Sequence, residues 1–227
     1  MEIYDISQEV FSCKVYPGDP APERKIIESI EQGSICNLTA FSMCAHNGTH
    51  IDAPFHFVKD GETVDGISLE SFVGECIVVE HQGIFTAEDA KKALQDSGEK
   101  RILIKGNATV SPEAARVFAE EGILLLGNES QTVGPQAAPA EVHKLLLSCG
   151  TVLLEGIRLD IVEPGKYFLN AAPINLAGAA GAPCILFNTS CILFYLIPII
   201  LFYLHLCIQN DRHLLKNCPL NHTLPIL

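Results

Sequence analysis

The sequence predicts a single α/β domain, and three observations lead to that prediction. From Glu75 onward, short apolar segments alternate with segments that carry helix start and stop signals. Before that point, the stretch from Met1 to Gly74 contains β-prone pieces separated by turns rich in proline and glycine. The chain of 227 residues has no internal repeat and can bury one sizeable core, so it does not require a second domain.

The elements follow in order along the chain. The N-terminal part, which we predict to be mostly strand and loop, includes the segments EIYDI and LTAFSMC. The first strand of the alternating part is CIVVE, which ends at the His81-Gln82-Gly83 turn. Thr86 then begins a helix, because Asp89 lies three residues later, as in a capping box. Gly98 ends that helix.

Two further cycles have the same signals. The second consists of the strand RILIK from Arg101 to Lys105, a helix that Ser111-Pro112 begins and Gly122 ends, and the strand ILLL. The third consists of a helix from Pro139 to Gly150 that carries His143, and the apolar strand TVLLEGI from Thr151 to Ile157.

Charge and cysteine content exclude several classes of function. The formal net charge of −12 and the lack of clustered lysine and arginine argue against nucleic acid as a partner. The nine cysteines are odd in number and include no CxxC pair, so we interpret them as reduced thiols. The N-terminus MEIYDISQEV lacks the basic and apolar regions of a secretory signal. We therefore expect a cytoplasmic location.

The segment HNGTHIDAPFH, from His46 to His56, concentrates metal-binding side chains. It holds three of the eight histidines in the chain together with Asp52. Imidazole nitrogen and carboxylate oxygen are ligands of Zn²⁺ and similar cations. Gly48 permits a tight turn before His50, after which His50 and Asp52 lie on the same side of an extended segment. The alternative is a polar loop that is rich in histidine, and we favour the metal site.

The pattern H-x-G-T-H-x-D-x-P-x-H in this segment resembles the signature of the cyclase-like metal-dependent hydrolases, which include bacterial kynurenine formamidase and isatin hydrolase. The resemblance covers residues 1–184. It implies a swivelling β/β/α fold and hydrolysis of a small formamide or cyclic amide by metal-activated water. It also implies a homo-oligomer. The alternative is a catalytically weak or inactive metal-binding protein with a divergent tail.

The same resemblance implies a set of site residues. The implied metal ligands are His46, His50, Asp52, His143 and Glu155. They would hold one or two Zn²⁺ ions, with Mn²⁺ as the alternative. His56 would be the catalytic group that transfers a proton to the leaving amine. The sequence context of Glu155 also makes it a candidate ligand, because a carboxylate inside an apolar strand requires a partner. Alternatively, Glu155 reaches solvent at a strand end, and His143 is an exposed helix histidine.

Tyr16 and Asp19 are the predicted substrate-binding residues. They lie in the turn Tyr16-Pro17-Gly18-Asp19, and the resemblance places this turn at the substrate entrance, where many relatives have tryptophan instead of Tyr16. Pro-Gly-Asp is also a common β-turn composition, so Asp19 has an alternative role in the turn itself.

The C-terminal part, residues 185–227, departs from the family pattern. Its segment CILFYLIPIILFYLHLCI, residues 191–208, contains no charged residue and is just long enough to cross a bilayer. One interpretation is a membrane anchor. The other is a divergent translation whose residues were never selected to pack, and we favour it because Pro198 interrupts the segment and basic flanking residues are few.

Overall fold

The computed structural model describes residues 2–184 and the backbone of Phe187–Ser190. The strands of this part are β1 (Glu2–Asp5), β2 (Glu23–Glu28), β3 (Leu38–Ser42), β4 (His50–Asp52), β5 (Val73–Glu80), β6 (Gly83–Phe85), β7 (Arg101–Lys105), β8 (Ala108–Val110), β9 (Leu125–Asn128), β10 (Val152–Glu155), β11 (Gly165–Asn170), β12 (Gly181–Pro183) and β13 (Phe187–Ser190). The helices are α1 (Ala87–Ser97), α2 (Pro112–Glu120) and α3 (Ala140–Leu147).

A mixed sheet of nine strands organises this part of the chain, in the order β1-β13-β11-β5-β7-β9-β10-β4-β12. Its centre is parallel, because β5, β7, β9 and β10 pair in the same direction. On both sides of this centre the strands pair antiparallel. The helices occur between consecutive parallel strands, which is the α/β alternation expected from the sequence.

The two faces of the sheet are buried by different elements. Ile102 and Ile104 of β7 pack on the side that α1, α2 and α3 cover, together with Phe118 and Leu146. Leu103, between them, points to the opposite side, where it packs in a cluster with Phe72. This alternation is the period of two that a strand imposes. Both faces are therefore apolar, as expected for parallel strands in the centre of an α/β domain.

The predicted helix signals are present. Thr86 and Asp89 form the reciprocal capping box, in which the amide of Thr86 donates to the Asp89 carboxylate and the amide of Asp89 donates to the Thr86 hydroxyl. Gly98 follows α1 in the left-handed conformation, with φ of 71°. The hydroxyl of Ser111 accepts from the amide of Ala114 at the start of α2.

One strand lies two residues later than predicted. The segment ILLL was expected to be a strand over residues 123–126, but β9 covers Leu125–Asn128. Pairing with the neighbouring strands begins only at Leu125, which lies opposite Arg101 and Val152. Gly127 belongs to the strand because it pairs with Leu103 and Leu154. The position requires glycine, since a Cβ atom there would lie 2.7 Å from Cδ2 of Leu103. The register of the parallel strands, which composition does not reveal, therefore sets this boundary.

The hairpin of β2 and β3 lies outside the main sheet. Its residues are exposed throughout, including the apolar side chains of Ile26, Leu38 and Phe41.

At the other end of the chain, β13 pairs with β1 and β11, beyond the boundary predicted at Cys184. That boundary stays a prediction. The apolar segment 191–208 and the interpretations of residues 185–227 lie outside the described residues, apart from the backbone of β13. Within the described part, no helix has the length and apolar character needed to cross a membrane.

Candidate metal centre

Strand β4 carries two of the proposed ligands, His50 and Asp52, into the interior. It lies between β10 and β12, and the register of the antiparallel pair places His50 directly opposite Glu155. Side chains of directly opposed residues share one face of the sheet. Nε2 of His50 accordingly lies 3.6 Å from Oε2 of Glu155 and 3.4 Å from Oδ1 of Asp52. The expectation that His50 and Asp52 share a side is confirmed.

The turn before β4 brings His46 back to the same carboxylate. Gly48 adopts φ of +63°, the left-handed region that glycine reaches without strain. Nδ1 of His46 then lies 2.8 Å from Oδ1 of Asp52. The carbonyl oxygen of Gly48 also lies 3.1 Å from Nδ1 of His50. With Nδ1 as the donor to that carbonyl, Nε2 of His50 is free to bind a cation.

Helix α3 supplies His143 from the other side of the pocket. Its Nδ1 lies 2.9 Å from the carbonyl oxygen of Pro139, one turn earlier in the chain. Its Nε2 lies 3.1 Å from Oε1 of Glu155 and 3.5 Å from Oδ2 of Asp52. The amide of Val133 donates to the same Oε1 of Glu155 at 2.8 Å. Both alternatives weighed for these residues are therefore wrong: His143 and Glu155 are each only 3% exposed and contact one another.

His56 lies at the edge of the same cluster. It ends the short 3₁₀ turn Pro54–His56, and its ring stacks on that of His46 with 4.1 Å between centroids. Its Nε2 is 3.9 Å from Oδ2 of Asp52, and its side chain is 31% exposed. This geometry suits either a proton-transfer group or a metal ligand.

Two groups of side chains can each hold a cation. One group is His46, Asp52 and His56, and the other is His50, Asp52 and Glu155; within each group the ligand atoms lie within 4.8 Å of one another. Asp52 belongs to both groups, so it is the residue about which the centre is arranged.

Burial and opposite charge determine the ionisation of the carboxylates. Burial raises the pKa of Asp52, but the imidazoles of His143, His46 and His50 outweigh it and hold that pKa well below the usual range. The pKa of Glu155 is raised, by burial first and then by the negative charge of Asp52.

The histidines respond to the same charges. Burial lowers the pKa of His143, but the carboxylates of Asp52 and Glu155 overcome it and raise that pKa to about 10. The pKa of His50 is raised against burial as well, chiefly by Asp52. Burial lowers the pKa of His56 to about 4, and the neighbouring imidazoles add to this effect against the attraction of Asp52. His56 is thus neutral near pH 7, in contrast to His143.

One atom indicates that a divalent cation fits this cluster. Oδ2 of Asp52 is buried and has no hydrogen-bond partner among the described residues. The imidazole nitrogens that face it, Nε2 of His143 and of His56, are 3.5 and 3.9 Å away. A buried carboxylate oxygen without a partner is costly, and a cation would remove that cost. The nitrogen and oxygen donors are those that Zn²⁺ and Mn²⁺ accept.

A cavity of about 250 Å³ opens onto the cluster. Tyr16 and Asp19 line it, and the amide of Asp19 donates to the carbonyl oxygen of Tyr16 at 3.0 Å, which closes the predicted turn. Sequence reasoning did not identify four other lining residues: Phe57, Gln131, Thr132 and Pro139. Phe57 directly follows His56, which was a usable signal. The loop residues Gln131 and Thr132 show no pattern in the sequence that would reveal them.

Comparisons with known proteins show which family the chain is similar to. A sequence model of the family described as "Putative cyclase" matches residues 4–135. A protein named kynurenine formamidase from Salinibacter ruber is 31% identical over 201 residues, which are 81% of this chain and 95% of that protein. A solved structure described as a potential metal-dependent hydrolase with cyclase activity has a TM-score of 0.71 and 29% identity, and the match covers 82% of this chain and 96% of the other. Isatin hydrolase A from Ralstonia solanacearum has a similar fold, with a TM-score of 0.72, 20% identity and coverage of 82% and 91%.

Proposed function

Because the chain belongs to the cyclase family, we propose that it is a metal-dependent amidohydrolase, similar to kynurenine formamidase, that cleaves a small formamide or cyclic amide. One observation carries this proposal: imidazoles and carboxylates from β4, β10 and α3 surround Asp52 beside a cavity of about 250 Å³.

The proposed cofactor is Zn²⁺, as one or two ions, with Mn²⁺ as the alternative. The ligands are those named from the sequence, His46, His50, Asp52, His143 and Glu155. A bound divalent cation supplies an activated water molecule and stabilises the negative charge that develops on the carbonyl oxygen. The fixed orientations of the His50 and His143 rings support their assignment, since each Nδ1 is engaged by a backbone carbonyl.

His56 is the proposed proton-transfer group. The pKa of about 4 makes its resting form an uncharged imidazole and a weaker base than the near-neutral group expected for this role; the ring accepts a proton as water attacks the carbonyl carbon. The protonated ring then donates to the leaving nitrogen. Its partial exposure at the cavity edge supports this role, since the group must reach the substrate.

Tyr16 and Asp19 are the proposed substrate-binding residues, because both line the cavity that opens onto the ligand cluster. The hydroxyl of Tyr16 lies 3.5 Å from the carbonyl oxygen of Gln136, at the margin of hydrogen bonding, so the ring can exchange this contact for one with substrate.

We also propose a homo-oligomer in the cytoplasm. The exposed side chains of Ile26 and Phe41, which share one face of the β2–β3 hairpin, support the oligomer, because exposed apolar patches are often interaction sites. The cytoplasmic location is supported by the cysteines of the described part, among which no disulfide forms.

The test combines metal analysis with a substrate screen. The full chain would be assayed for bound zinc and manganese, and then for hydrolysis of N-formylkynurenine, isatin and simple cyclic amides. We expect turnover that requires both the cation and His56. His81→Ala is the matched control, because His81 lies outside the centre and bonds the carbonyl oxygen of Ile84. A protein that binds metal but hydrolyses none of these compounds would instead support the catalytically inactive alternative.

A further inference from the structure

Gln8 joins the two chain segments that carry facing metal ligands. Its backbone amide donates to the hydroxyl of Thr49 at 2.8 Å, and Thr49 directly precedes His50. Its side-chain Nε2 donates to the carbonyl oxygen of Gly156 at 2.7 Å, and Gly156 directly follows Glu155. The hydroxyl of Thr49 donates to the same Gly156 carbonyl at 2.7 Å. Gln8 and Thr49 thus connect the two ligand-bearing segments through hydrogen bonds that involve no ligand atom.

This connection lies where the strand ladder stops. The pair Glu155 and His50 is the last register pair of β10 with β4. Gly156 then leaves the ladder with φ of +69°, although its backbone stays packed against that of Gly48, because a Cβ atom there would lie 2.4 Å from the Gly48 carbonyl oxygen. No backbone ladder therefore holds the two segments beyond the ligands. The side chains of Gln8 and Thr49 hold them instead.

Gln8 is itself held in place. Its Oε1 accepts from the backbone amide of Lys14 and from Nη2 of Arg158, each at 3.1 Å. Arg158 is anchored in turn, because its backbone amide donates to the carbonyl oxygen of Ile6 at 2.8 Å. The carboxamide therefore has both ends engaged, which determines its orientation and directs Nε2 to Gly156.

From these contacts we propose that Gln8 is a positioning residue for the metal centre. It sets the spacing of His50 and Glu155 through their neighbours Thr49 and Gly156, without contacting the ligand atoms themselves. The inference rests on the proposed metal centre. Residues that orient metal ligands typically contribute about 10–100-fold to metal affinity.

The test compares the affinity for Zn²⁺ of the full wild-type chain with that of its variants. Bound metal is first removed, and the affinity is then measured by titration against a chromophoric chelator. Gln8→Glu keeps the size of the side chain and its acceptor for Arg158 but loses the donor to Gly156. Gln8→Ala removes every side-chain contact. Gln82→Ala is the matched control, because Oε1 of Gln82 also accepts from a backbone amide, that of Asn107, far along the chain from the ligands.

We expect the dissociation constant for Zn²⁺ to rise about 10–100-fold in Gln8→Glu and Gln8→Ala and to stay unchanged in Gln82→Ala. The absorption spectrum of the Co²⁺-loaded protein should change in the two Gln8 variants, because ligand geometry is altered. If both Gln8 variants lower the melting temperature but bind Zn²⁺ like the wild type, Gln8 is only structural and the inference is wrong. If Gln8→Ala does not fold, Gln8→Glu decides. A wild-type chain that binds no divalent cation would overturn the proposed metal centre as well.

Discussion

Replacing Asp52 with asparagine tests the central residue of the proposed metal centre. Asparagine keeps the shape of the side chain but removes the charge that faces the surrounding imidazoles. His46, His50 and His143 lie 2.8, 3.4 and 3.5 Å from the carboxylate oxygens of Asp52. We expect Asp52→Asn to lose the bound cation, because Asp52 belongs to both candidate ligand groups.

When the cation is removed from both proteins, Asp52→Asn should also be less stable than the wild type, and the interaction of Asp52 with His143 sets the scale of the difference. The pKa of His143 is about 10 in the folded protein against an ordinary value of 6.5. At pH 7 this difference corresponds to roughly 4 kcal/mol of folding free energy. Two carboxylates, those of Asp52 and Glu155, cause the rise, so removing the charge of Asp52 should cost part of this stabilisation.

The sign of the pH dependence follows from the direction of the same shift. The pKa of His143 is raised on folding, so its stabilisation is complete below about pH 6.5 and is lost as the pH rises through about 10. The metal-free wild type should therefore lose stability across this window. Asp52→Asn should lose less stability over the same pH range, because the protonated His143 is stabilised by one carboxylate fewer at the acidic end of that range.

Urea unfolding of chelator-treated protein at several pH values, together with metal analysis of untreated protein, measures both effects. Asp160→Asn serves as the control, because Asp160 is exposed and this substitution removes the same formal charge. Unchanged metal stoichiometry in Asp52→Asn would refute the ligand assignment. Equal stability of variant and wild type at pH 7 would refute the electrostatic argument separately.

Three further predictions concern other parts of the chain. His56→Ala should keep the cation and lose about 10²–10⁴-fold in rate, measured as kcat beside metal content, whereas loss of metal in proportion to activity would identify His56 as a ligand. Removing residues 191–227 should improve solubility and leave the metal stoichiometry unchanged, because every proposed ligand precedes them; an insoluble product without metal would show that the fold needs this segment. Phe41→Glu in the β2–β3 hairpin should lower the mass measured by light scattering if the exposed apolar side chains form the oligomer contact, and an unchanged oligomer would exclude this surface.

The helices and central strands could be predicted because their signals are local. The capping box of Thr86 and Asp89 and the proline after Ser111 fix helix starts through contacts within one turn. The position of β9 could not be predicted in the same way. It depends on where Leu125 meets Arg101 and Val152, which are distant in sequence. The strand β11 was not predicted for a different reason, since its segment GKYFLN shows no alternation of apolar and polar residues.

The candidate site was predictable to different degrees for reasons of strand geometry. The spacing of His50 and Asp52 is a period of two, so a single extended segment places both on one face. The role of Glu155 depends instead on a register between β10 and β4, which no local pattern encodes. Once the register is known, the period of two explains the rest. Leu153 packs on the face that α3 covers, so Glu155, two residues later, must point to that face as well. His143 of α3 is therefore directed at Glu155, and the resemblance to the family was needed only because the sequence alone does not state which strands are neighbours.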